Sequence, residues 1–258
     1  MIWRDGALVE DAPLCIPPAD VEGVMTTAGC DASRVLLWEQ HRHRLVSFSG
    51  FGVEESILPR GRDLESLLRV SGCTVPSRLR VVIWRDCPSS PLRLEASCEV
   101  LQNFGPTQTP LWLGVVRDSA PLDAGQKIVA RHPWRDAQRL AVSWGADDAL
   151  MADGETRLLE TSRANVFVRR GLVVATPPAP DRCLPGIMRR VLMDLLPSLG
   201  LNVEERDVFI DELAFADEVW VTNAVRGVVR VGRVGERSWD HWPFHRRLAR
   251  LDIPAPGW

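Results

Sequence analysis

Residues 157–162, 165–169 and 172–176 are three short apolar segments with only brief breaks between them. Runs this short, rich in Leu, Val and Phe, read as buried strands rather than helices. A chain that must pair such strands has a sheet at the centre of its second half. Further strands are expected at 111–116, within 148–154 (a strand, then a turn), at 219–224 and at 228–231, the last followed by a hairpin centred on Gly235 and a short terminal helix. After Pro133, the positions of Trp134, Ala137, Leu140, Ala141 and Trp144 predict one apolar helical stripe that Gly145 closes. A second helix opens at Pro185-Gly186, with Ile187, Val191, Leu195 and Leu199 on one face.

The first half is also mixed. Asp5-Gly6 between two apolar edges is a two-residue hairpin signal. Strands are expected at 24–28, 33–38, 79–84 and 93–100, and helices at 39–49 and 63–70. Residues 103–110 then hold two prolines, a glycine and small polar residues, the composition of an interdomain linker or of a plain loop. The expectation is an α+β fold of two domains, 1–102 and 111–258, joined by 103–110.

Length and charge exclude some functions. A chain of 258 residues can bury a sizeable core, and a net charge of −3 gives no general attraction to nucleic acid. No apolar run approaches the roughly 18 residues of a membrane span, and the N-terminus has no signal-like apolar core. A soluble cytoplasmic protein is expected. The 6 cysteines show no CxxC pairs and no metal-ligand spacing, so they read as reduced packing thiols, with no metal site. There is no tyrosine, which removes one common acid–base group from any site.

Lys127 is the only lysine; every other basic residue among the 31 Lys and Arg is arginine. Chemistry that needs a side-chain amine, such as imine formation with a carbonyl cofactor, can use only this residue, because a guanidinium stays protonated. The alternative is a drift from Lys to Arg that left one surface lysine. Glu160 ends an apolar strand, where it either holds a proton on a heteroaromatic nitrogen or pairs with an arginine. Gly186-Ile-Met-Arg189 opens a helix whose free N–H groups suit a phosphate. Thr222-Asn-Ala224 follows a strand end and offers a hydroxyl and amides, or is an ordinary polar turn. His41-Arg-His-Arg44 is either solvated surface or the source of a bidentate phosphate contact from Arg44.

These pieces occur in a recognisable order. Lys127 followed by Arg131, then Ala146-Asp-Asp-Ala-Leu150, Glu160-Thr-Ser-Arg-Ala-Asn-Val-Phe167, Thr176-Pro177, Leu184-Pro-Gly-Ile-Met-Arg189, Ala216-Asp-Glu-Val219 and Thr222-Asn223 resembles the class IV (fold-type IV) aminotransferase family. Gly23-Val-Met-Thr-Thr-Ala28 and His41-Arg-His-Arg-Leu45 extend the resemblance to nearly the whole chain. It implies a two-domain homodimer that binds pyridoxal phosphate, with Lys127 attached to the cofactor and acting as base and acid. Glu160 would keep the pyridine nitrogen protonated. Arg44, Gly186, Ile187, Met188, Thr222 and Asn223 would hold the phosphate. Thr26, Thr27, Arg131, His132 and Asn165 are candidate contacts to substrate or to the cofactor's phenolic oxygen.

Within the family, Gly-Ile-Met-Arg, Thr26-Thr27-Ala28 and Asn223-Ala224 are most similar to the 4-amino-4-deoxychorismate lyases, which release pyruvate to give 4-aminobenzoate for folate synthesis. The alternatives are an aminotransferase acting on a D- or branched-chain amino acid, and a non-catalytic homologue that binds the cofactor. Two departures bear on substrate. Relatives commonly place a Tyr at the phenolic oxygen, so Arg131 or His132 must fill that place. The lyases' glycine-rich loop appears only as Trp84-Arg-Asp-Cys-Pro-Ser-Ser90.

Overall fold

The computed structural model describes residues 1–10, 21–31, 34–48, 51–73, 76–101, 109–121 and 125–256. Near the N-terminus β1 (Ile2–Arg4) and β2 (Ala7–Val9) form the hairpin signalled by Asp5-Gly6, and both turn residues have positive φ. With β3 (Gly23–Asp31), β4 (Arg34–Val35), β5 (Ser77–Trp84) and β6 (Arg93–Val100) they make a sheet ordered β2-β1-β6-β5-β3-β4. Helices α1 (Trp38–Val46) and α2 (Gly61–Val70) cover one face. Leu64, Leu67 and Leu68 of α2 repeat at helical spacing and are buried against Leu79, Val81 and Ile83 of β5. Each such leucine contributes about 1.5–3 kcal/mol on burial.

The second sheet is built from β7 (Leu111–Val116), β8 (Asp148–Ala152), β9 (Leu158–Thr161), β10 (Asn165–Arg170), β11 (Val173–Thr176), β12 (Asn202–Glu205), β13 (Glu218–Asn223) and β14 (Gly227–Val234), with β15 (Arg237–Ser238) hairpinned onto β14. Its order is β12-β11-β10-β13-β14-β7-β8-β9. The central strands are covered on both faces. Phe167 and Trp220 pack with Met188 and Leu192 of α4 (Ile187–Leu195), while Val166, Val168, Val219 and Val221 pack with Trp239 and Trp242. Double burial explains why these strands read as continuous apolar runs without alternation. Helix α3 (His132–Ser143) packs on β7 and β8, and α5 (Pro243–Leu248) ends the regular structure. No helix among the described residues is long and apolar enough to cross a membrane. The five described cysteines are free thiols.

Several expectations change. The strand at 33–38 is only Arg34–Val35, because Leu37 adopts a left-handed φ of 54° and turns the chain directly into α1. The stripe on α3 is half right: Trp134, Ala137 and Ala141 are buried, but Leu140 and Trp144 are exposed. On α4 the fully buried line is Met188, Leu192 and, just past the helix, Leu196, one position on from the predicted Ile187–Val191–Leu195–Leu199 face. Strand β12, which adds in parallel to β11, was not anticipated. Most of the expected linker, 103–108, lies outside the described residues.

Candidate active site

Sheet pairing decides where Lys127 sits. Strand β4 covers only the Cys30–Asp31 end of β3, which leaves the Gly23–Met25 end with unused backbone groups. The segment carrying Lys127 takes that edge: the Met25 N–H donates to the Lys127 carbonyl at 2.9 Å, and the Val129 N–H donates to the Gly23 carbonyl at 2.9 Å. Lys127 and residues far from it in sequence, including Glu160, Asn165 and Thr222, thereby face one cavity of about 360 Å³ lined from both sheets. That volume is in the range of a small-molecule site.

The Lys127 amine is held well below its ordinary pKa, first by burial and then by the nearby cations Arg131 and Arg44. Glu160 is buried, and burial pushes its carboxyl up. Trp134 and Asn165 hold it from behind: the Trp134 Nε1–H donates to Oε1 at 2.7 Å, and Oε2 accepts from Asn165 Nδ2 at 3.4 Å and from the Leu184 N–H at 3.3 Å. The Asn165 amide also donates to the Leu184 carbonyl at 2.8 Å. Its oxygen lies so close to Gly186 that a Cβ there would stand 2.1 Å away, so any larger residue at the start of α4 would force the Asn165 amide to move. The first-turn N–H groups of α4 have no intrahelical acceptors. Gly186 and Ile187 line the cavity, whereas the Met188 side chain points into the core beneath, so Met188 can offer the cavity only its amide.

On the opposite wall, strand parity separates the two threonines. Met25 and Thr27 line the cavity, and Thr26 points to the other face of β3, fully buried against α1. The expectation of Thr26 as a substrate contact is therefore corrected, because adjacent residues of a strand face opposite ways. Thr26 instead accepts a hydrogen bond from Arg44 Nη2 and lies 2.6 Å from His41 Nδ1. Arg44 lines the cavity and its Nε has no hydrogen-bond partner; burial, with the charge of Arg131, lowers its pKa to about 10.

Arg131 also lines the cavity. It donates to the Ser162 carbonyl at 3.1 Å and stacks 4.5 Å over the Trp134 ring, which ties it to the tryptophan that binds Glu160. His132 is exposed on the first turn of α3 and is not in the cavity lining, so of the two candidates for the absent tyrosine's place only Arg131 faces the cavity. Thr222 lines the cavity, and its hydroxyl donates to the Gly227 carbonyl at 2.8 Å. The Asn223 side chain lines it too, but its oxygen caps the Val225 and Arg226 N–H groups at 3.0 and 2.8 Å, so it shapes the turn.

Sequence reading missed Trp134 as a partner of Glu160, the buried state of His41, and the arginines Arg78, Arg163 and Arg226 at the cavity wall. A buried tryptophan on a helix stripe needs a partner for its N–H, and that signal was available for Trp134. The residues lining the cavity suit a phosphorylated pyridine aldehyde: one amine, a buried carboxylate, a guanidinium whose Nε has no partner, and the amides at the start of a helix.

Comparison with known proteins gives a consistent result. The model of the class IV amino-transferases matches residues 23–234. A stretch of 113 residues is 35% identical to the mitochondrial branched-chain-amino-acid aminotransferase 1 of Arabidopsis thaliana, covering 43% of this chain and 29% of that protein. The chain thus spans less than a third of that relative's length. Among solved structures, a branched-chain aminotransferase from Thermoproteus uzoniensis crystallised with norvaline superposes with a TM-score of 0.83 at 21% identity, over 96% of this chain and 91% of that one. A Legionella pneumophila protein named as a candidate 4-amino-4-deoxychorismate lyase superposes at 0.78 and 22%, over 93% and 94%. Those structural likenesses show the shared fold, and with the family match running through both sheets the chain belongs to the class IV aminotransferases, a pyridoxal-phosphate-dependent family.

Proposed function

We propose that the chain is a pyridoxal-phosphate lyase that converts 4-amino-4-deoxychorismate to 4-aminobenzoate and pyruvate. The observation that carries this is the charge of the cavity wall: Arg44, Arg78, Arg131, Arg163 and Arg226 against only Asp148 and Glu160. Arg78 pairs with Glu99 at 2.6 Å and Arg163 lies 3.7 Å from Asp148, yet with Arg44 assigned to the cofactor phosphate and Glu160 to the pyridine nitrogen, the four remaining guanidinium groups still outnumber the carboxylates of Glu99 and Asp148. A branched-chain amino acid brings one carboxylate and an apolar side chain. 4-Amino-4-deoxychorismate brings two carboxylates, which arginine forks bind well.

The bound cofactor supplies an electron sink for the carbon that carries the substrate nitrogen. In this reading Lys127 takes the proton from that carbon, the adjacent C–O bond breaks as the ring becomes aromatic, and a proton is given to the departing enolpyruvyl group, which leaves as pyruvate; the depressed pKa keeps a fraction of the amine neutral for the task. Glu160 holds a proton at the pyridine nitrogen, braced by Trp134 and Asn165. Arg131 faces the phenolic oxygen in place of a tyrosine, and a fixed cation there favours the phenolate. Arg44, the Ile187 and Met188 amides and the Thr222–Ala224 turn hold the phosphate, with Thr27 and Arg226 toward the substrate. The resemblance to the family carries a homodimer as well, which light scattering would read as twice the chain mass.

The test is incubation with 4-amino-4-deoxychorismate, read as 4-aminobenzoate and pyruvate in equal amounts. The Arabidopsis relative favours a second reading, an aminotransferase. If no 4-aminobenzoate forms and a branched-chain or D-amino acid alone bleaches the cofactor's visible absorbance, the aminotransferase reading replaces the lyase. For the amine itself, Lys127→Ala is expected to abolish the visible absorbance of the loaded protein, since no other lysine can substitute. A coloured, borohydride-reducible Lys127→Ala protein would overturn the role of Lys127.

A further inference from the structure

Arg44, Thr26 and His41 form a buried hydrogen-bonded chain whose directions follow from which groups need partners. A guanidinium can only donate, so Arg44 Nη2 donates to the Thr26 hydroxyl oxygen. That hydroxyl has one proton, and its nearest remaining partner is His41 Nδ1 at 2.6 Å. With Nδ1 accepting, that proton has a partner and His41 is neutral with its proton on Nε2; with Nδ1 donating, both the Thr26 proton and Nε2 would lack a partner among the described residues. Thr26 and His41 are both 0% exposed, and His41 Nε2 has no hydrogen-bond partner. The ring is thus held by a single directed bond, the one from Thr26. The charged groups that bear on it are Arg44 of its own helix and Lys127 of the segment on the β3 edge, both cations. Together with burial they hold the imidazole well below its ordinary pKa, so the accepting form persists at neutral pH.

We propose that Thr26 and His41 are positioning residues for Arg44: a one-way hydrogen-bond relay, His41 ← Thr26 ← Arg44, that aims the guanidinium at the cofactor phosphate from outside the cavity. This rests on the reading of Arg44 as a phosphate ligand. Neither Thr26 nor His41 lines the cavity, so each acts only through Arg44. An arginine side chain has several rotatable bonds, and a fork held at one N–H by a fully buried acceptor loses less freedom when it meets an anion. Thr26 is suited to the role because strand alternation sends it into the core while Thr27 faces the cavity.

The experiment compares binding of pyridoxal 5′-phosphate with binding of pyridoxal, which lacks the phosphate, to the cofactor-free full chain. The ratio of the two affinities isolates the phosphate contribution. Thr26→Val and His41→Leu are expected to lower that ratio at least tenfold while leaving pyridoxal affinity within about twofold, and Thr26→Ser, which keeps the hydroxyl, to restore it. Equal losses for both ligands would mean a merely structural role, and an unchanged ratio would mean no role; either overturns the relay. Arg44→Met separates the relay from the reading beneath it. If Arg44→Met leaves the ratio unchanged, Arg44 is not the phosphate ligand; if it collapses the ratio and the other two variants do not, only the relay fails. Imidazole ¹⁵N shifts of the unsubstituted protein near pH 7 give a reading that needs no variant to fold. A His41 proton on Nε2 supports the relay, and a proton on Nδ1 overturns it.

Discussion

Lys127 sits among cations with its own pKa depressed, so the cofactor-free fold keeps a group that would rather be in water. The sign follows from linkage. A lysine whose folded pKa is lowered destabilises the fold wherever the unfolded amine is protonated, fully below the folded pKa and vanishing as pH rises to the ordinary value near 10.5. Lys127→Met should therefore raise the melting temperature of the cofactor-free protein at pH 7 by about 2 °C or more, a gain that shrinks toward pH 10.5 in calorimetry. Gly186→Ala is expected to act in the opposite sense. The new methyl group would meet the Asn165 oxygen and displace the amide that steadies Glu160, at a cost of about 1–3 kcal/mol in denaturant unfolding. At this scale the sequence was unevenly legible. Lys127 stood out by scarcity, and Glu160 by being charged on an apolar strand. Thr26 and Thr27 looked alike, because which of two neighbours faces a cavity depends on strand parity relative to a partner that is distant in sequence.

Elements were legible in kind more than in facing. Helix α4 carries two apolar series at spacing four, Ile187–Val191–Leu195 and Met188–Leu192–Leu196, and either could have been the core line. Burial chose the second, because α4 leans on Phe167, Val174 and Trp220 of the sheet. The attachment of the Lys127 segment to β3 was not readable at all, since one antiparallel bridge between residues a hundred positions apart leaves no local pattern. Gly29 marks another such joint: its N–H donates to the Ala224 carbonyl at 3.1 Å, and an added Cβ would lie 2.8 Å from that oxygen and 2.3 Å from the Pro256 ring. Gly29→Ala should push β3 away from the Thr222–Ala224 turn. The expected result is a loss of about 1–3 kcal/mol in urea unfolding together with weaker pyridoxal-phosphate binding by titration.

At the scale of the molecule, the two halves meet at the cavity, and a ligand that touches both should bind them together. Pyridoxal 5′-phosphate at about 100 times its Kd is expected to stabilise the fold by about 2.7 kcal/mol, with a single sharpened transition by both near-UV and far-UV circular dichroism. Separate transitions for the two sheets would contradict this coupling. The α+β class and the positions of most strands along the chain could be read from the sequence, but the order of strands in each sheet and the convergence of Arg44, Lys127, Glu160 and Thr222 on one cavity needed the tertiary arrangement. That arrangement has a practical consequence for the lone lysine. Apart from the α-amino group at the start of the chain, Lys127 is the molecule's whole stock of primary amines, and it sits in the cavity wall. An amine-selective label therefore adds at most one increment beyond that of the α-amino group, and in an intact-protein spectrum that second increment would count the vacant fraction of a preparation before activity is assayed.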